Sequence, residues 1–140
     1  TRVLAEGPMG TFTDDARRTD KALLVAGGIG ITPVRALLET IGGDVTVVYR
    51  ALSESDLVLR DELDAIAGAR GATVHYVVGD HRGDGANLLS PSHLAELVPD
   101  VSERDVFLCG PAGMTAALER TIRAVNVPRR HLHVEKFALT

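Results

Sequence analysis

Apolar positions recur along the chain in a fixed order: a short unbroken run, then a segment with apolar residues three and four apart. Ala22-Leu23-Leu24-Val25-Ala26 is a run without polar alternation, the pattern of a strand buried on both faces. Val34 to Ile41 has helical spacing, with Thr32 as a suitable N-cap, Pro33 at the first helical position and Gly42-Gly43 as a stop. Val45-Thr46-Val47-Val48-Tyr49 is β-branched and strand-like. A polar stretch from Ser53 to Asp56 leads to a helix over Val58 to Ala67, with Leu59, Leu63 and Ile66 on one face and Gly68 beyond its end. Thr73 to Val78 predicts a third strand, Gly79 to Asn87 a loop, and Ser90-Pro91 the start of a short helix near Ser92 to Leu97. Asp105 to Cys109 predicts a fourth strand, Gly110-Pro111 a sharp turn, Ala112 to Ala124 a helix, and Leu132 to Val134 a short last strand. This alternation predicts an α/β fold: a five-stranded parallel sheet with helices on both faces.

Composition narrows the class. A chain of 140 residues is one domain's worth, and 45% apolar with 24% charged residues excludes a disordered chain. A net charge of −4, 4% aromatics and no Trp argue against a nucleic-acid partner. One cysteine, Cys109, rules out an intrachain disulfide and a cysteine-based zinc site. His131 and His133 share a strand face by alternation, but no further ligand joins them, so no metal site is expected. No apolar run approaches the roughly 18 residues of a spanning helix. The chain begins at Thr1 without a Met or a signal-like region, and is expected to be an excised domain with part of its function elsewhere.

Ligands of an open parallel sheet bind beyond the carboxyl ends of its strands, where strand order reverses. The first predicted strand delivers Gly27-Gly28-Ile29-Gly30-Ile31-Thr32-Pro33 to that end, the second Tyr49-Arg50, the third Gly79 to Arg82, and the fourth Cys109-Gly110-Pro111. Gly27, Gly28 and Gly30 leave backbone N–H groups open to a phosphate at a helix N-terminus. Any tight strand-to-helix turn also favours glycine, and the glycines alone divide evenly between the two readings. Arg50 and Arg82 suit phosphate neutralisation; singly, each is better read as a solvated loop arginine. No acid stands where an ordinary dinucleotide dehydrogenase would hold a ribose hydroxyl, and the G-x-S-x-G of a serine hydrolase is absent. Cys109 has no neighbouring His to make it a thiolate, so it suits contact better than covalent attack.

Four motifs then fall into a known order: Glu6-Gly7-Pro8-Met9-Gly10-Thr11-Phe12, the Gly27–Pro33 turn, Cys109-Gly110-Pro111-Ala112-Gly113-Met114, and Glu135-Lys136-Phe137. Together they resemble the NAD(P)H-binding, Rossmann-like half of the ferredoxin–NADP reductase superfamily, most nearly the dehydrogenase domains of ferric reductases and NADPH oxidases. The resemblance implies that residues 1–20 are the tail of an FAD-binding barrel and its linker, and residues 21–140 the NAD(P)H-binding domain. It implies NADP(H) or NAD(H) as coenzyme, with FAD held by the neighbouring barrel. Hydride passes to that flavin, and electrons then leave singly to haem, ferric iron, an iron–sulfur centre or oxygen, so the domain alone would be inactive. Partners would be the barrel and a haem-bearing membrane domain, and the location cytoplasmic, including the cytosolic face of a membrane protein. Carried over by motif, Gly27, Gly28 and Gly30 face the pyrophosphate, and Thr32 and Pro33 lie near the nicotinamide and the flavin edge. Cys109 lies by the nicotinamide, Gly110 and Pro111 shape its pocket, and Met114 belongs to the coenzyme contacts. Glu135 hydrogen-bonds near the reacting centre, so Cys109, Glu135 and Thr32 form the expected catalytic set. Phe137 shields the flavin, and Arg50 and Arg82 stand where NADPH-preferring members carry basic residues. The alternative is a nucleotide-binding or interaction module with the same fold and no redox activity.

Overall fold

The computed structural model describes residues 3–5, 18–79 and 89–139. Strand β1 is Val3–Ala5 and β2 is Lys21–Gly27; helix α1 is Ile31–Thr40. Then come β3 (Asp44–Ala51), α2 (Arg60–Arg70), β4 (Thr73–Val78), α3 (Pro91–Leu97), β5 (Asp105–Pro111), α4 (Ala112–Ala124) and β6 (Leu132–Leu139). They form one six-stranded sheet in the order β1-β6-β5-β2-β3-β4. β2 through β6 pair in parallel, which is the expected five-stranded parallel sheet; β1 adds an antiparallel edge through Val3↔Leu139 to Ala5↔Phe137.

The unbroken apolar run of β2 reflects burial on both faces. Ala22, Leu24 and Ala26 join Val47, Tyr49, Phe107 and Cys109 under α1 and α2, which contribute Val34, Leu38 and Leu63. Leu23 and Val25 face the other way, into a second core with Val48, Val106, Leu108, Leu94 of α3, and Leu118 and Ile122 of α4. Leu23 and Leu24 are both 0% exposed, and burying a side chain of that size stabilises by about 1.5–3 kcal/mol.

Several boundaries differ from those the pattern predicts. Thr32 is not the N-cap of α1: a 3-10 turn over Gly28–Gly30 runs straight into the helix, and Gly30 occupies the cap position. Gly68 does not end α2, because the helix continues to Arg70 and the left-handed residue that stops it is Gly71, at φ 75°. The same helix starts late: Leu59 takes φ 62° as its N-cap, after a 3-10 turn at Glu54–Asp56. β6 runs past Val134 to Leu139 because it pairs with β5 as far as Pro111↔Phe137 and then with β1. His131 and His133 do not share a strand, since His131 closes a 3-10 turn and only His133 lies in β6.

Below the carboxyl-end face, Asp105 opens β5. Its Oδ2 accepts from the backbone N–H of Arg18 (2.9 Å) and Thr19 (2.6 Å) and from the Thr19 hydroxyl (2.9 Å). Its Oδ1 lies 2.9 Å from His133 Nε2, and the His133 ring stacks on Phe107 at 4.6 Å between centroids. Burial alone would raise the Asp105 carboxyl, but the bonds from His133, Arg18 and Thr19 outweigh it and hold it below its ordinary value.

Candidate dinucleotide site

Strand order runs from β2 outward to β3 and β4 on one side, and from β2 to β5 and β6 on the other. The reversal lies between β2 and β5, and in open α/β sheets the ligand crevice lies beyond the carboxyl ends of the two strands at that point. The two Gly-bearing turns therefore meet: Gly27 ends β2, and Gly110-Pro111 ends β5.

The three glycines after β2 do different things. Gly28 has φ +57°, and a Cβ built on it would meet nothing within 4 Å, so its backbone faces open space. Gly30 is buried; a Cβ there would overlap the Cys109 carbonyl oxygen and sit 2.7 Å from the Cys109 carbonyl carbon. It is the position where β5 and the turn pack backbone to backbone, the task a third fingerprint glycine performs in the usual G-x-G-x-x-G. Gly27 is extended, at φ −137° and ψ 137°, so its geometry suits any residue. The three atoms nearest a Cβ there all belong to Met114, the Cε at 2.7 Å.

Helices α1 and α4 both begin at this crevice. Neither is capped by a side chain among the described residues, which leaves first-turn N–H groups and the positive ends of two helix dipoles aimed at it. By contrast, α3 is closed by Ser90, whose hydroxyl accepts from the His93 N–H at 3.2 Å. Among the described residues the rim carries exposed Gly28, Ile29, Thr32, Pro111, Ala112 and Gly113, none of them charged. These features fit a dinucleotide: an open backbone cradle for phosphates with small residues around it.

The acid and the thiol are buried side by side on the neighbouring strands β5 and β6. Cys109 is 0% exposed, and its register partner on β6 is Glu135, 5% exposed. Burial pushes the Cys109 thiol up to about 12, with the Glu135 carboxyl adding to the effect. Cys109 is therefore a neutral thiol at pH 7 and no nucleophile. Burial likewise raises the Glu135 carboxyl above its ordinary value of 4.5.

Thr32 is exposed and Pro33 half-buried in the first turn of α1, beside the cradle. Arg50 is 7% exposed, and its guanidinium donates to the carbonyl oxygens of Ala51 and, at 3.4 Å, of Val77. It is thus tied into the β3–β4 edge and is no solvated loop arginine. Arg82 lies outside the described residues, and so does the Phe137 side chain; the Phe137 backbone pairs with Pro111 and Ala5. Among the described residues, no group of three or more His, Cys, Asp or Glu could hold a metal ion, and no helix is long and apolar enough to cross a membrane. The Met114 contact across the two turns was not foreshadowed by pattern. Its signal was an i, i+4 relation from Gly110 into the first turn of the following helix.

Fold and crevice define a dinucleotide-binding domain of the open α/β class. Residues 24–120 match the family model for the oxidoreductase NAD-binding domain, and the chain belongs to that family. It is 31% identical over 150 residues to ferredoxin–NADP reductase B of Sorangium cellulosum, covering 95% of this chain and 61% of the relative. It is 30% identical over 143 residues to the ferredoxin reductase component of 3-ketosteroid-9-alpha-monooxygenase of Mycobacterium tuberculosis, covering 97% of this chain and 38% of the relative. The FAD/NAD-binding domain of a nitric oxide dioxygenase from Vibrio cholerae shares the fold, with a TM-score of 0.67 at 23% identity, over 86% of this chain and 52% of that one. The chain thus spans less than two thirds of the length of each of these proteins.

Proposed function

We propose that this domain presents NAD(P)H to a flavin held by a neighbouring FAD-binding barrel, with residues 1–20 as the barrel's tail and linker and residues 21–140 as the coenzyme domain. The observation that carries the reading is the meeting of two turns at the switch point, with Cys109 and Glu135 in register beneath them. Names of the relatives support it: a ferredoxin–NADP reductase and the ferredoxin reductase component of a monooxygenase.

Bound nicotinamide would supply the hydride, and the protein supplies placement. Backbone N–H groups at Gly28 and at the first turns of α1 and α4 bind the pyrophosphate. Thr32 and Pro33 border the nicotinamide, and Pro111 walls its pocket. The Cys109 thiol and the buried Glu135 form a dry floor that excludes water from the reacting face. Phe137, in β6, shields the flavin side. Arg82 is the candidate for a 2′-phosphate. Arg50 would have to leave the Ala51 and Val77 carbonyls to join it.

The finer reading is a ferric reductase or NADPH oxidase type of enzyme, with haem or ferric iron as acceptor, a haem-bearing membrane domain as partner, and this domain on the cytosolic side. Rapid mixing of the complete protein with NADPH or NADH, followed by flavin absorbance, tests the core claim. Flavin bleaching with either coenzyme is expected; none with both would leave a nucleotide-binding module without redox activity. Cys109→Ala should slow the bleaching about tenfold while leaving the melting temperature within a few degrees.

A further inference from the structure

Gly27 carries no conformational reason to be glycine: its backbone is extended, at φ −137° and ψ 137°. Any L-residue adopts those angles freely. The obstacle to a side chain there is Met114. Its Sδ would overlap a Cβ on Gly27, its Cε would lie 2.7 Å away and its Cγ 3.7 Å away. The same methyl carbon would sit 2.5 Å from a Cβ on Gly110, with the Gly27 carbonyl oxygen 3.4 Å from that Cβ. One thioether therefore fills the space that two missing side chains leave, one at the end of β2 and one at the end of β5. Met114 is half-buried and packs against the core under α4. It grows from the first turn of that helix, four residues past Gly110. An unbranched, polarisable side chain suits an irregular gap of this kind.

We infer that Met114 is the spacer that fixes the distance between the two turns, and that Gly27 and Gly110 are glycine to admit it. This rests on the proposed coenzyme site and deepens it: Met114 is a positioning residue, acting on the coenzyme through the turns it holds apart. β2 ends in the phosphate cradle and β5 ends beside Cys109. Their separation sets where the nicotinamide end falls once the pyrophosphate is seated, and a misplacement of about 1 Å can cost roughly 100-fold in rate.

The test is a double-mutant cycle in the complete protein with three variants: Gly27→Ala, Met114→Ala and the pair together. Melting temperature, kcat and KM for the preferred coenzyme are read for each. Gly27→Ala should lower the melting temperature and raise KM roughly tenfold, because the displaced thioether has the crevice to move into. Met114→Ala should lower kcat roughly tenfold with KM within about threefold, since it loosens the turns without blocking the cradle. In the pair, KM and melting temperature should return to those of Met114→Ala alone, the non-additivity expected of residues in direct contact. A pair as impaired as Gly27→Ala would overturn the interlock. Met114→Ala with unchanged kcat, or with tighter coenzyme binding, would overturn the positioning role and make Met114 packing or an obstacle. Should the wild-type protein reduce its flavin with neither coenzyme, the proposed function and the positioning role fail together. The melting temperatures then decide the interlock alone.

Discussion

The glycine turn shows how residues of one type divide labour. At Gly28 an added Cβ finds open space but a left-handed backbone, φ +57°. At Gly30 it finds the main chain of Cys109, which has nowhere to go. Gly28→Ala should therefore cost about 1 kcal/mol, the ordinary left-handed penalty, while Gly30→Ala should cost at least about 3 kcal/mol. Chemical denaturation of the two variants checks the order, and a costlier Gly28→Ala would contradict it. Glu135 offers a second contrast. Its folded carboxyl titrates above the ordinary 4.5, so the folded state binds more protons than the unfolded one as pH rises past that value. Stability then falls with rising pH through the folded titration. Glu135→Gln should remove that fall and raise stability near neutral pH, while slowing flavin reduction if the carboxyl orders the reacting end. A pH-stability profile unchanged by the substitution would show that Glu135 ionises at no cost.

Elements were legible where periodicity was strong and less so where tertiary pairing decided. β4 and α4 fall where the pattern places them, because each is a full run of one period between clear breakers. β6 outran its three predicted residues because nothing apolar in Glu135-Lys136 announces a strand; the ladder to β5 and β1 creates it. Leu59 at φ 62° could not be read at all, since a left-handed leucine is held by its surroundings and not by its own preference. The meeting of the two Gly turns was legible from strand alternation; the Met114 contact between them was not, because it depends on side-chain direction across two elements. Asp105 was likewise unread. Its position at the start of β5 joins that strand to β6 through His133 and to the incoming chain through Thr19. Asp105→Ala leaves several buried donors unanswered and should cost about 3 kcal/mol. The held-down carboxyl gives a defined window: its contribution is present above the ordinary value of 3.8 and is lost as pH falls through the lower folded value. Denaturant midpoints of the two proteins should differ at pH 7 and converge in strong acid; equal midpoints at pH 7 would refute the role.

For the whole molecule, the sheet's two halves carry different duties. The β2–β5 seam holds the crevice, and each face of the sheet is closed by a pair of helices, so the seam is supported from both sides. Among the described residues, the exposed rim of that crevice carries no charged side chain, and the chain as a whole carries a net charge of −4. A pyridine dinucleotide is itself an anion. Its approach to this chain is therefore uphill at long range and is rewarded on contact by backbone dipoles. Capture should then be indifferent to salt or slightly quickened by it, because screening weakens the repulsion and leaves short contacts intact. Association rates between low and moderate ionic strength decide the matter, and a steep fall with added salt would reveal a cation at the mouth, with Arg82 the first to substitute. Among the described residues, then, the doorway offers backbone and shape, and recruitment by charge falls to Arg82.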